Sequence, residues 1–79
     1  MTIGEAARES RRKKGISIKE LSAKTGIHQN TIIDFEKDRI DAKISTVEIL
    51  ADGLEMRIDE YIGHFWQDKF YKKKQKNKK

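Results

Sequence analysis

The chain has 79 residues, of which 35% are hydrophobic and 39% are charged, so it can form one small domain with a modest core. It contains no cysteine and two histidines, which excludes disulfides and thiolate metal sites, and we expect no cofactor. The chain has neither the apolar core of a signal peptide nor the roughly 20 apolar residues of a membrane span, so we expect a cytoplasmic protein without a membrane partner. Because so small a core is marginal alone, a homodimer is expected.

An all-α fold is predicted, because the chain has no proline and no segment alternates apolar and polar residues as a strand does. Five helices can be placed along it. The first is predicted from Thr2, which forms a T-x-x-E capping box with Glu5, to Lys14. Gly15 follows as its C-terminal stop.

Residues 17–36 have the pattern of two short helices joined by a turn. Ser17 and Glu20 have the spacing of a second capping box, so the second helix is predicted from Ser17 to Lys24. Gly26 lies in the turn, where a left-handed backbone is cheapest for glycine. The third helix is predicted over residues 29–37, and the two helices together indicate a helix-turn-helix.

Two more helices are predicted after a polar loop. The fourth covers about residues 44–53, with Ser45 and Glu48 as a capping pair. The fifth begins near Ile58, and its apolar residues recur at i, i+4 spacing, which favours continuation as far as Tyr71.

These segments resemble the lambda repressor and Cro family, also called the XRE family. The resemblance covers residues 3–62 and rests on IGEAARESRRKKGIS, on the helix-turn-helix, and on ISTVEILADGLEMRIDEYI. It implies a compact five-helix DNA-binding domain over residues 1–63, which docks its third helix in the major groove, usually as a two-fold dimer. It also implies a structural ion pair between Arg11 and Glu36. One position departs from the family, since many relatives have a phosphate-bracing Gln where this chain has Ile18.

The third helix separates into a core side and an outward side at 100° per residue. Ile32 and Phe35, with His28 beside them, are predicted to face the core. The residues predicted to read bases are Gln29, Asn30, Ile33 and Asp34. Carboxamides can bond adenine, isoleucine can contact a thymine methyl, and a carboxylate can accept a hydrogen bond from cytosine. Two alternatives are that the outward polar groups are merely solvated, and that Asp34 pairs with a neighbouring cation.

Phosphate contacts are expected from groups that flank the third helix and from the start of the second helix. The candidates are Ser17, Lys19, Thr31, Lys37, Arg39 and Lys43. Residues 8–43 carry 10 basic and 6 acidic side chains, whereas residues 48–60 carry one basic and five acidic side chains. The helix-turn-helix side is therefore expected to be the positive side.

The C-terminal region divides into an aromatic extension, residues 64–71, and a Lys-rich tail, residues 72–79. Phe65, Trp66 and Phe70 are expected either to pair with a second chain, which we favour, or to fold back on helix 1. Ala7 and Ser10 leave room on that helix, because relatives place larger apolar residues there. The tail is expected to be disordered, and it either solubilises the chain or adds non-specific phosphate contacts.

No catalytic set, metal cluster or phosphate-binding glycine loop is present, so an enzyme is not expected. The sequence predicts a sequence-specific regulator of transcription that binds double-stranded DNA, most simply a repressor. A restriction-modification controller and a phage or mobile-element repressor fit equally. The alternative is an antitoxin or other interaction module, in which the C-terminal segment binds a protein partner and the helix-turn-helix represses its own promoter. A membrane-surface anchor at the C-terminus is a weaker option.

Overall fold

Five helices account for most of residues 1–63, which are the residues that the computed structural model describes. Their bounds are α1 Ile3–Lys13, α2 Ile18–Thr25, α3 Gln29–Glu36, α4 Ile44–Gly53 and α5 Ile58–Tyr61. No strand occurs in this part of the chain, so the predicted all-α, five-helix fold is confirmed. The predicted aromatic extension and Lys-rich tail lie outside the described residues.

Reciprocal capping boxes fix the starts of α1 and α2. The Thr2 hydroxyl accepts the Glu5 N–H and the Glu5 carboxylate accepts the Thr2 N–H, at 3.1 and 2.9 Å. Ser17 and Glu20 repeat the arrangement with two hydrogen bonds of 3.0 Å, as the sequence predicts. The hydrogen bond from the Ser17 backbone N–H lowers the pKa of the Glu20 carboxyl from its usual value. Gly26 ends α2 in the left-handed conformation, with φ of 79°.

The predicted capping pair of α4 is wrong. The helix begins at Ile44, so Ser45 is its second residue and already has helical backbone geometry, and Lys43 occupies the cap position without a side-chain hydrogen bond. A side chain caps a helix only from the residue that precedes the first turn. The predicted end near Gly53 is confirmed.

The fifth helix begins at Ile58, as predicted, and ends at Tyr61 with Ile62 as its C-cap. Gly63 is helical again, and the rest of the predicted continuation toward Tyr71 lies outside the described residues. The Tyr61 carbonyl accepts a 2.7 Å hydrogen bond from the Ser10 hydroxyl of α1. Tyr61 and Ile62 are both buried, so the chain packs against the core at the end of α5. The i, i+4 pattern in the sequence contains no information about that long-range contact.

One apolar cluster holds the helices together. α3 contacts α1 and α2, α4 contacts α2 and α5, and α5 contacts α1. The buried residues of the cluster are Ala6, Ala7, Leu21, Ile32, Phe35, Val47, Leu50, Ala51, Leu54, Tyr61 and Ile62. α3 therefore lies across α1 and α2 and keeps its other side exposed.

The space beside Ala7 and Ser10 lies where α5 packs on α1. Both small residues are buried, and Tyr61 is fully buried on the contacting helix. The aromatic residues that we expect to fill this space or to pair with a second chain, Phe65, Trp66 and Phe70, lie outside the described residues. Their role stays a prediction. No helix within residues 1–63 is both long and apolar enough to cross a membrane.

Candidate nucleic-acid interface

The N-terminal end of α3 presents two carboxamides to solvent. Gln29 and Asn30 are both exposed and form the first turn of the helix. His28 precedes them as the N-cap, and its Nδ1 accepts the Asn30 N–H at 3.2 Å. His28 was expected on the core side and is instead exposed, because a cap residue lies before the helical turn and does not follow its 100° spacing.

Ile33 and Asp34 lie one turn further along α3 and are only partly exposed. The Asp34 carboxylate accepts a 3.4 Å hydrogen bond from the Arg39 guanidinium. The Asp34 and Arg39 side chains are 39% and 61% exposed, so solvent screens this ion pair and it contributes little to stability. Its geometry agrees with the alternative in which Asp34 pairs with a neighbouring cation.

The candidate phosphate ligands fall into three places. Thr31, Arg39 and Lys43 line one open depression beside the loop between α3 and α4. Ser17 and Lys19 lie at the start of α2, where the Ser17 hydroxyl already accepts the Glu20 N–H. Lys37 is the exposed C-cap of α3 and lines a separate depression. The structure therefore brings three of the six candidates together.

The C-terminal end of α3 is attached to α1 by a buried ion pair. The Arg11 guanidinium donates to both Glu36 oxygens, with N–O distances of 2.7 and 3.0 Å. Its remaining Nη1 donates to the Ile16 carbonyl at 2.9 Å. The side chains of Arg11 and Glu36 are only 13% and 4% exposed. This pair joins α1, α3 and the loop before α2 into one unit behind the exposed face.

Asp38 makes a second attachment that sequence reasoning missed. Its carboxylate accepts hydrogen bonds from the Thr2 hydroxyl and from the Gly4 N–H, the latter at 2.9 Å. Asp38 itself has a left-handed backbone, with φ of 60°. The partners are 34 and 36 residues apart in sequence. No local pattern could therefore have indicated that Asp38 ties the end of α3 to the start of α1.

Tyr61 belongs to the same buried region. Its hydroxyl is inaccessible and has no hydrogen-bond partner within residues 1–63. Burial raises the pKa of the Tyr61 phenol, the Glu36 carboxylate raises it further, and Arg11 partly offsets the rise. The charges of Arg11 and Glu36 therefore both influence the pKa of the Tyr61 phenol on α5.

No group of three or more His, Cys, Asp or Glu side chains is placed to hold a metal ion in the described part of the chain. The feature that residues 1–63 do offer is one exposed helix face with amide and cationic groups around it. Such a face suits the edges and phosphates of a nucleic-acid duplex.

Comparisons with known proteins agree with this geometry. A family model described as helix-turn-helix matches residues 8–61. An immunity repressor protein of Bacillus phage phi105 is 25% identical over 63 residues, which cover 80% of this chain and 44% of the relative. The chain thus spans less than half the length of that curated relative, and no solved structure matches it. The family match covers more than half of the chain and contains every helix from α2 to α5, so the protein belongs to the helix-turn-helix family and is of the lambda repressor/Cro type.

Proposed function

We propose that this protein is a sequence-specific regulator of transcription that binds double-stranded DNA through α3 and acts as a repressor. The observation that carries the proposal is the exposed pair of carboxamides, Gln29 and Asn30, at the start of a helix whose far end is held by a buried ion pair. A rigid attachment lets a short helix present base-reading groups at a fixed depth. The phage relative named an immunity repressor supports the choice of repressor over activator.

In this proposal the residues of the exposed face have different tasks. Gln29 and Asn30 bond adenine edges in the major groove, and Ile33 contacts a thymine methyl. Asp34 orients Arg39 toward the backbone, since its carboxylate already bonds the guanidinium. The groups that we assign to phosphates are Ser17, Lys19, Thr31, Lys37, Arg39 and Lys43.

The charge distribution supports the same orientation. Ten basic against six acidic side chains between residues 8 and 43 make the helix-turn-helix side positive, although residues 1–68 together have a net charge of −2. A duplex is therefore attracted to this side and repelled by the acidic segment of residues 48–60. We further propose that two copies bind a palindromic operator in the cytoplasm, with half-sites about one helical turn apart.

Selection of bound sequences from random duplex DNA tests the proposal. A single enriched motif with two related half-sites is expected. Gln29→Ala and Asn30→Ala should each relax the base preference at one position, by about 1 to 3 kcal/mol of discrimination. Ser45→Ala, which changes an exposed residue of α4, is the control and should leave the motif unchanged.

Recovery of no enriched sequence would overturn the proposed function. Enrichment that is identical for the wild type and both amide variants would keep DNA binding but remove Gln29 and Asn30 from base reading. The alternative function, a protein-interaction module, depends on residues 64–79, and no feature of the described residues favours it.

A further inference from the structure

A depression of about 280 Å³ lies where α1, α2 and α3 meet, beside the base-reading face. A single water molecule needs only about 10 to 15 Å³ of such space, so the depression can admit a larger group. Its lining residues are Arg8, Arg11, Ile18, Ile33, Glu36 and Lys37. Ile33 and Lys37 also belong to the exposed side of α3, so a duplex that touches that side passes over the depression.

Two of the four charged lining residues are already satisfied. Arg11 and Glu36 bond each other through both carboxylate oxygens, and the third Arg11 hydrogen bond goes to the Ile16 carbonyl. Arg8 and Lys37 are exposed, and neither forms an ion pair within residues 1–63. The depression therefore has two available positive charges on its rim and a neutralised pair in its wall.

The rest of the lining is apolar. Ile18 and Ile33 are half-buried, and Ile18 also packs against the core cluster. An apolar surface beside two cations that have no ion-pair partner in the described part of the chain matches one unit of the DNA backbone, which combines an apolar deoxyribose face with a charged phosphate. A free anion would leave the isoleucine surface uncovered.

We propose that this depression seats one backbone phosphodiester of the duplex, with Arg8 and Lys37 binding its phosphate and the deoxyribose lying against Ile18 and Ile33. The inference rests on the proposed DNA-binding function and adds Arg8 to the residues that carry it. It also explains how the chain functions with Ile18 in place of a polar side chain, because the cations come from α1 and α3 instead of α2.

Salt dependence of binding to the selected operator tests the role of Arg8. Each neutralised phosphate adds about −0.9 to the slope of log affinity against log salt concentration. Because Arg8 and Lys37 share this phosphate, Arg8→Gln should have a shallower slope than the wild type, and Arg8→Gln/Lys37→Gln should lose the full value of about 0.9. The affinity of the double variant should then fall about 3.5-fold less than that of the wild type when salt rises from about 50 mM to about 200 mM. Arg12→Gln is the matched control, because Arg12 is an exposed arginine of the same helix that does not line the depression.

Duplexes in which a single backbone phosphate is replaced by an uncharged methylphosphonate identify the phosphate that binds in the depression. The wild type and Arg12→Gln should lose affinity at one position in each half-site where Arg8→Gln loses less and Arg8→Gln/Lys37→Gln loses none. Lys37→Gln should also lose less affinity than the wild type at that same position. Thermal melting should show Arg8→Gln to be as stable as the wild type, since Arg8 forms no ion pair with any other residue of the described range 1–63.

Two results would overturn the inference, and they differ in scope. If Arg8→Gln keeps the wild-type salt slope, or responds to every methylphosphonate as Arg12→Gln does, then Arg8 does not bind a phosphate while the proposed function stands. If the wild type itself selects no duplex sequence, the proposed function fails and this inference fails with it.

Discussion

Glu36 is a buried carboxylate whose two oxygens both accept hydrogen bonds from Arg11. Glu36→Ala would leave the Arg11 guanidinium mostly buried without its partner, and breaking one side of a buried pair costs about 3 to 5 kcal/mol. We therefore expect a large fall in the free energy of unfolding, measured by urea denaturation. A domain of this size has little more stability than that to lose.

Asp34→Ala provides the matched comparison, because it breaks an ion pair that is exposed on both sides. Its cost should stay below about 1 kcal/mol. A Glu36→Ala variant as stable as the wild type but unable to distinguish bases would show that Glu36 reads DNA and does not hold the helix.

Tyr61 gives a prediction about alkaline pH. Burial and the neighbouring Glu36 raise the pKa of its phenol, so the folded protein holds the proton when the unfolded chain, with a pKa of about 10, releases it. Below about pH 10 the neutral phenol makes its full contribution to the free energy of unfolding. This contribution decreases as the pH rises above about 10. The loss is about 1.4 kcal/mol per pH unit.

Tyr61→Phe removes this titration and also a buried hydroxyl without a partner within residues 1–63. We expect the Phe variant to be at least as stable as the wild type near neutral pH, because an unsatisfied buried polar group costs about 1 to 3 kcal/mol. Urea midpoints at about pH 10 and about pH 11 should fall less in the variant. Lysine side chains titrate in both proteins and affect both urea midpoints alike. Equal falls in the midpoints of the wild type and of Tyr61→Phe would therefore contradict the prediction.

The packing of α1 against the end of α3 depends on a glycine. A Cβ at Gly4 would lie 2.6 Å from the Phe35 carbonyl oxygen and 2.7 Å from the Glu36 carbonyl oxygen. Both are backbone atoms, which cannot rotate away as a flexible side chain can. α1 must approach α3 closely here, because the Gly4 N–H bonds the Asp38 carboxylate.

Gly4→Ala should therefore destabilise the domain. Alanine gains up to about 1 kcal/mol in helix propensity, but overpacking costs about 1 to 3 kcal/mol, and weakening of the hydrogen bond to Asp38 adds to the cost. Thermal melting measures the sum. Gly63→Ala is the control, because, chain neighbours aside, no heavy atom of residues 1–63 lies within 4 Å of its added Cβ. A Gly4→Ala variant that melts with the wild type would show that α1 can shift without loss.

Local chemistry explains which elements could be predicted from the sequence. Thr2 with Glu5 and Ser17 with Glu20 are complete within four residues, so the starts of α1 and α2 were predictable to the residue. Ser45 has the same spacing to an acidic residue, but Lys43 occupies the cap position, and spacing alone cannot tell a cap from a helical interior.

Interactions between distant residues account for what could not be predicted. The last residue of α5 accepts a hydrogen bond from Ser10, which lies 51 residues earlier in the chain. Asp38 likewise acts on residues at the start of the chain. At the site, the exposed amides follow from helix periodicity, whereas the depression with Arg8 in its rim exists only because three helices meet there.

At the scale of the whole molecule, positive charge is distributed between the helix-turn-helix side and the C-terminal tail. Residues 69–79 carry seven lysines and no acidic residue, whereas residues 1–68 have a net charge of −2. The long-range attraction for a polyanion must therefore come mainly from the tail, while the local field near α3 sets orientation. An experiment should separate the attraction by the tail from the effect of the field near α3, because the attraction by the tail is independent of DNA sequence.

Replacement of the six lysines within residues 72–79 by glutamine tests this separation at constant chain length. If the tail binds phosphates, the slope of log affinity against log salt should become shallower by about 0.9 for each phosphate that is no longer neutralised, and operator and scrambled duplexes should weaken by the same factor. The ratio of the two affinities should stay constant, since the replacement leaves Gln29 and Asn30, the proposed base-reading residues, unchanged. Asn30→Ala is the opposite control, because it should lower that ratio while it keeps the salt slope. An unchanged salt slope in the glutamine variant would show that the tail does not bind phosphates and acts only in solubility.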